Sequence, residues 1–157
     1  MNYEDFRQHI SDVDASVKAA DLRIAQINSD LSTQKVIQKH CDSYRLCRKV
    51  IEYCKSAKNP KEYRSKHLAE YQLHDSLKKE LQDLGVTKIP SSNKIQKQIE
   101  NLESEQAATV REKQELQKKQ KTLDIIQQNF SVLLDAPEIN SDLLPAKREP
   151  VSVTRDK

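Results

Sequence analysis

Glycine is almost missing from this chain. One glycine stands among 157 residues, alongside two phenylalanines, one methionine and no tryptophan. A single glycine excludes the Gly-rich loops that cradle phosphates or a dinucleotide. It also leaves no Gly-rich turn to present a nucleophile beside a backbone oxyanion site. Ser43, Cys47 and the mid-chain tyrosines have candidate bases nearby, yet nothing in the pattern activates them. The expectation is a chain with no enzymatic activity and no cofactor. Hydrophobic residues are 36% and aromatics 4%, against 32% charged. That share fills narrow seams rather than a thick core, with a partner or a second copy supplying part of the burial.

Long apolar runs are absent too. No stretch approaches the ~20 residues a membrane span needs. The opening MNYEDFRQHI is acidic and has no apolar core of a secretory signal. The three cysteines, Cys41, Cys47 and Cys54, are an odd number with no C-x-x-C pair. A disulfide framework and the common zinc spacing are thereby excluded, and a reducing compartment is favoured. These absences together give the expectation of a cytoplasmic protein with no membrane contact. His40, Cys47 and Cys54 share one helical stripe, but at ~10 Å per heptad they cannot all ligate one ion. His67 and His74 on the next helix are the groups that could complete a site across the corner, and small seam residues facing that helix are the plainer reading. The expected metal set is none.

What is present is helix-forming sequence rich in Gln, Lys, Glu and Leu. Neither Pro nor Gly interrupts residues 1–58. Ile10, Val13, Val17, Ala20, Ile24, Ile27 and Leu31 step by three and four, a heptad seam. Asn2 is placed to cap this helix, with Glu4 and Asp5 in its first turn. The seam slips after Leu31 and resumes at Ile37, Tyr44 and Ile51, with His40, Cys47 and Cys54 as companions. A helix of ~50 residues is ~75 Å long. Asn59-Pro60-Lys61-Glu62 is a restart: a cap, a proline for the first turn and a capping-box glutamate. Tyr63, Leu73, Leu77, Leu81 and Leu84 give the second helix its apolar side, and Gly85 suits a left-handed terminus. Ser91 or Ser92 starts a third helix with Ile95, Leu102, Thr109, Leu116, Leu123 and Phe130 at seven-residue spacing. Its second row, Ile99, Gln106, Lys113, Gln120, Gln127 and Leu134, is polar in the middle, which favours one-sided antiparallel packing on the first helix.

The expected fold is all-α: a long antiparallel coiled-coil-like helical hairpin with a middle helix at the corner. The helices are expected at about 3–58, 60–84 and 92–134, as a single helical domain over 1–134. Residues 135–157 hold three prolines and little periodicity, and are expected to be a disordered tail. A charge placed at Ile24 or Leu116 is expected to unfold the arms.

Charge is uneven along the chain. Net charge is only +3, but residues 45–66 carry eight cations and two anions. The cations are Arg45, Arg48, Lys49, Lys55, Lys58, Lys61, Arg64 and Lys66, with Tyr44, Tyr53 and Tyr63 interleaved and Tyr71 following. Cations neutralise phosphates and aromatic rings stack on unpaired bases. The eight cations, with Tyr53 and Tyr63, are the candidate nucleic-acid contacts. A solvated charge run with tyrosines packing a corner is the plainer reading of the same residues.

One resemblance adds to this. Tyr44-x2-Cys47-x5-Tyr53 is followed by Lys58-Asn59-Pro60-Lys61-x-Tyr63, then His67, then Tyr71-Gln72-Leu73-His74. Gly85 and Lys88-Ile89-Pro90-Ser91 come next, then a long Lys/Gln/Glu helix ending near Leu134. Over roughly residues 3–134 this order resembles the C-terminal helical region of relaxases, the mobilisation nucleases of integrative conjugative elements and mobilisable plasmids. The nicking tyrosine and histidine cluster of that family have no counterpart here, so no catalytic residue carries over. The resemblance implies an accessory helical module of DNA mobilisation, separate or truncated from its nuclease. Its implied partners are DNA, single-stranded by preference, and relaxosome or transfer-machinery proteins. The alternative is a generic coiled-coil oligomerisation or scaffold protein, a homodimer for instance, with no nucleic-acid role.

Overall fold

The computed structural model describes residues 2–135, with side chains through Leu133. Four helices account for nearly all of the described residues, and none of these residues is in a strand. They are α1 (Tyr3–Ser56), α2 (Pro60–Lys66), α3 (Leu68–Asp83) and α4 (Ser92–Asp135). The all-α expectation is met. The tail expected over 135–157 lies, from residue 136 on, outside the described residues.

Local chemistry accounts for most of the helix ends. Asn2 Oδ1 accepts the Asp5 N–H at 2.8 Å, which satisfies one of the open donors of the first turn. α1 ends at Ser56, two residues earlier than expected. Proline pushes the residue before it out of the helical region, and Asn59 accordingly sits at φ −128°, ψ 88°. Asn59 Oδ1 then accepts the Glu62 N–H at 3.3 Å, capping α2 with Pro60 in its first turn. Gly85, at φ +84°, closes α3. The Val86 N–H reaches Leu81 O at 2.8 Å and the Gly85 N–H reaches Gln82 O at 3.0 Å. That pair of bonds is the Schellman arrangement, and the half-buried Val86 packs on the core beneath it. Ser91 Oγ accepts the Lys94 N–H at 3.2 Å and opens α4.

The middle helix differs from the expectation. Residues 60–84 form two helices, parted at His67 with φ −115°, ψ 29°. The His67 N–H is shared between Tyr63 O at 3.1 Å and Arg64 O at 3.2 Å, a tightened last turn. α2 buries no residue, whereas α3 buries Leu77 and Leu81. The short piece is held by ring contacts and the long one by apolar packing, and the chain turns between them. Leu73 and Leu84, expected inside, are 47% and 40% exposed.

By their contacts the described residues divide into two compact units, residues 2–20 with 112–135 and residues 21–111. In the first unit Phe6, Val13 and Leu123 form a small core with Ile10 packed against it. Phe130 sits edge-on to Tyr3 at 5.8 Å and tilted to Phe6 at 5.5 Å. Gln120 Nε2 donates to Asp14 at 2.7 Å, so the polar row of α4 finds a polar partner on α1.

The second unit holds the larger core. Ile27, Leu31, Ile37, Cys41, Tyr44 and Cys47 of α1 meet Leu77 and Leu81 of α3 and Ile95 and Ile99 of α4. Arg23 pairs with Glu105 at 2.7 Å, and Gln38 donates to Gln96 at 2.9 Å. After the slip at Leu31 the inward residue is Cys41, fully buried, rather than the expected His40, which is half-buried and pairs with Glu80 at 3.1 Å. Ile24 and Ile51 are likewise half-buried rather than inside. Cysteine is small and apolar enough to sit inside the core that the three helices share.

Candidate nucleic-acid interface

The basic run occupies the last turns of α1, the Asn59 turn and α2, all within the Asp21–Arg111 unit. Cys47 and Cys54 are buried there, at seven-residue spacing, and they fix which way this end of α1 faces. Lys49 and Tyr53, four residues apart, share the opposite stripe of the helix. Cys54 Sγ lies 3.4 Å from Pro60 O, tying the turn back to α1. α2 then lays Tyr63 beside Tyr53, ring centroids 5.2 Å apart, with His67 4.3 Å beyond Tyr63. Beside the two tyrosines lies an open cleft of about 540 Å³, lined by Tyr53, Ser56, Ala57, Lys58, Asn59, Glu62, Tyr63 and Lys66.

The ten candidate residues do not behave as one set. Arg45 is a structural residue: its guanidinium donates to Pro90 O, to Ser92 Oγ at 2.9 Å and to Asp42 at 3.2 Å. It clamps the connection between α3 and α4 and has little left for a ligand. Arg48 pairs with Glu52 at 3.1 Å, and Lys66 with Glu62 at 3.2 Å. The hydrogen bond to Glu52, and then its charge, raise the Arg48 pKa further above its ordinary value. Arg64 lies over the Tyr71 ring, 4.6 Å from its centroid, a cation–π contact. Lys49, Lys55, Lys58 and Lys61 are exposed and have no ion-pair partner among the described residues. These four are the cations left for a ligand.

The tyrosines sort in the same way. Tyr44 is buried and stacks on His74 at 4.6 Å. The Tyr71 hydroxyl bonds to Cys54, the largest of the causes that raise its pKa, followed by burial. Burial, with the neighbouring Tyr53, Cys54 and Glu70, raises the Tyr63 phenol too. Tyr53 stays 62% exposed. Sequence reasoning names Lys49, Lys55, Lys58, Lys61, Tyr53 and Tyr63 as candidates by composition, and the fold leaves these six at least partly exposed. The same reasoning misses the clamp role of Arg45, because the partner carbonyl lies 45 residues away.

The thiols are not aligned for chemistry. All three are free and buried. Burial raises the Cys41 pKa, with Arg45 pulling it down and Asp42 pushing it up. Burial raises Cys47 as well, with a smaller push from Glu70. A raised thiol is a poor nucleophile at neutral pH. Among the described residues no group of three His, Cys, Asp or Glu is placed to hold a metal ion. Nor is any helix among them long and apolar enough to cross a membrane.

The chain matches no protein-family model, no curated protein and no solved structure.

Proposed function

We propose that this chain is an accessory helical module of a relaxase-type DNA-mobilisation system, contacting DNA through its basic corner and performing no nicking itself. One observation carries the reading. Lys49, Lys55, Lys58 and Lys61 are exposed cations with no ion-pair partner among the described residues, spread over the last turns of α1, the Asn59 turn and the start of α2, and Lys58 lines the Tyr53–Tyr63 cleft. A lysine held in an ion pair gives up part of its attraction for phosphate; these four give up none. The resemblance of residues 3–134 to relaxase C-terminal regions supplies the biological setting, with transfer-machinery proteins as further partners and the cytoplasm as the compartment. The long antiparallel coiled-coil-like hairpin belongs to the same proposal. Its support is that, inside each unit taken alone, rising α1 numbers meet falling α4 numbers.

The test is fluorescence anisotropy on labelled DNA at low salt. Lys49, Lys55, Lys58 and Lys61 are changed together to Glu, with Arg45 left intact so that the α3–α4 connection holds. Binding by the native chain and its loss in the variant, at unchanged helicity, support the proposal. Equal binding by both removes the corner from the DNA-contact role.

A second reading has its own observation. Ile125, Val132 and Leu133 are 60%, 63% and 55% exposed towards the end of α4, outside the seven-residue row. Such side chains favour self-association, the oligomerisation or scaffold alternative. Light scattering after size exclusion decides it: a salt-independent dimer that binds no DNA is the result this reading predicts.

A further inference from the structure

Resting on the DNA-contact reading, we propose that the Tyr53 ring is a stacking platform for one unpaired base of single-stranded DNA, and that this ring sets the preference for single strands over duplex. Four of the five tyrosines are already engaged. Tyr3 packs on Phe130, Tyr44 on His74, and Tyr71 lies beneath Arg64. Tyr63 is half-buried between Tyr53 and His67. Tyr53 alone of these rings stands mostly in solvent, at 62% exposure.

An exposed ring is a platform only if it is held. Tyr53 is held from the side: Tyr63 meets it at an interplanar angle of 48°, which supports the ring without covering it face to face. Tyr63 is itself backed by His67 at 4.3 Å, and His67 lies 3.4 Å from Glu70. The row Tyr53–Tyr63–His67 therefore fixes the orientation of its outermost member, so little rotamer freedom is lost when a base arrives.

The charges around the ring suit a strand that passes over it. Lys49 lies one helical turn back along α1, and Lys58 lines the same cleft as Tyr53. The one carboxylate in the cleft, Glu62, is neutralised by Lys66 at 3.2 Å. Cations before and after an aromatic face match a base flanked by two phosphates. A duplex offers the phosphates but keeps its bases stacked inside. The lysines therefore serve both forms of DNA and Tyr53 serves only one.

The chain has no tryptophan, so tyrosine emission is visible without interference. Anisotropy titrations with a labelled 12-nucleotide single strand and with its duplex are run on the native chain, Tyr53→Ala and Tyr53→Phe, alongside tyrosine emission. Stacking contributes roughly a five-fold gain in affinity or more per base. The expected result is that Tyr53→Ala loses that factor on the single strand and nothing on the duplex. Tyr53→Phe keeps single-strand affinity, because the ring remains, but loses part of the emission quench that the native chain shows on binding. Single-strand affinity unchanged in Tyr53→Ala, while the four-lysine variant still loses binding, overturns the stacking role and leaves the electrostatic reading standing. No binding of either DNA by the native chain overturns both.

Discussion

Cys41 has no exposure to solvent, and one turn further along α1 Arg45 reaches across to Pro90 and Ser92. The two residues show why the chain between positions 41 and 48 is structural before it is anything else. The burial that raises the Cys41 and Cys47 thiols, and that contributes to the raised Tyr63 and Tyr71 phenols, has a consequence for stability. A group whose folded pKa is raised adds stability that is whole below its unfolded value and lost as pH climbs through the folded one. The ordinary thiol value is 9.0 and the ordinary phenol value 10.0. The thermal midpoint therefore falls as pH rises above about 9, and Cys41→Ala makes the fall shallower. A midpoint that is level or rising from pH 8 to 10.5 would contradict these directions. For Arg45, replacement by Met keeps the stem and removes the hydrogen bonds. The expected loss is about 1.5–3 kcal/mol, read from denaturant unfolding, with faster amide exchange at residues 86–92. Unchanged exchange there would show that the clamp is not needed.

At the scale of single helices, much was legible. The seven-residue row is buried or half-buried from Ile95 through Leu102, Thr109, Leu116 and Leu123, though its last member Phe130 is 39% exposed, and the caps at Asn2, Asn59 and Ser91 stand where their side chains suit the open N–H groups. These features depend on periodicity and on bonds spanning three residues, which is why sequence alone reveals them. The break at His67 was not legible, because it follows from two different packing demands on one continuous pattern. Beyond Leu31 the expected Ile37, Tyr44, Cys47 and Cys54 are buried, and the departure is local: Cys41 takes the inward place expected of its neighbour His40, where the slipped seam leaves two adjacent stripes equally plausible. Before Leu31, Ile24 is half-buried while Ile27 is 3% exposed, so the stability test moves from the first to the second. Ile27→Ala is expected to cost about 2–5 kcal/mol, as full burial implies. Ile24→Ala should cost clearly less. Equal denaturant midpoints for the two variants would mean that the seam has been assigned to the wrong stripe.

For the whole molecule, the division of labour at the basic corner was beyond the sequence. Eight cations look alike in a row of letters. Folding assigns one to a clamp, two to ion pairs and one to an aromatic ring, and leaves four lysines open. The central claim is that these four meet DNA phosphates, and counterion release measures it most directly. Affinity for a labelled single strand is followed across a salt series, and log affinity is plotted against log salt. Four phosphate contacts predict a slope of about −3, at roughly −0.7 for each contact. Changing all four lysines to Glu should bring the slope close to zero and remove measurable binding above low salt. A native slope near zero, or the same slope in the variant, would contradict the claim.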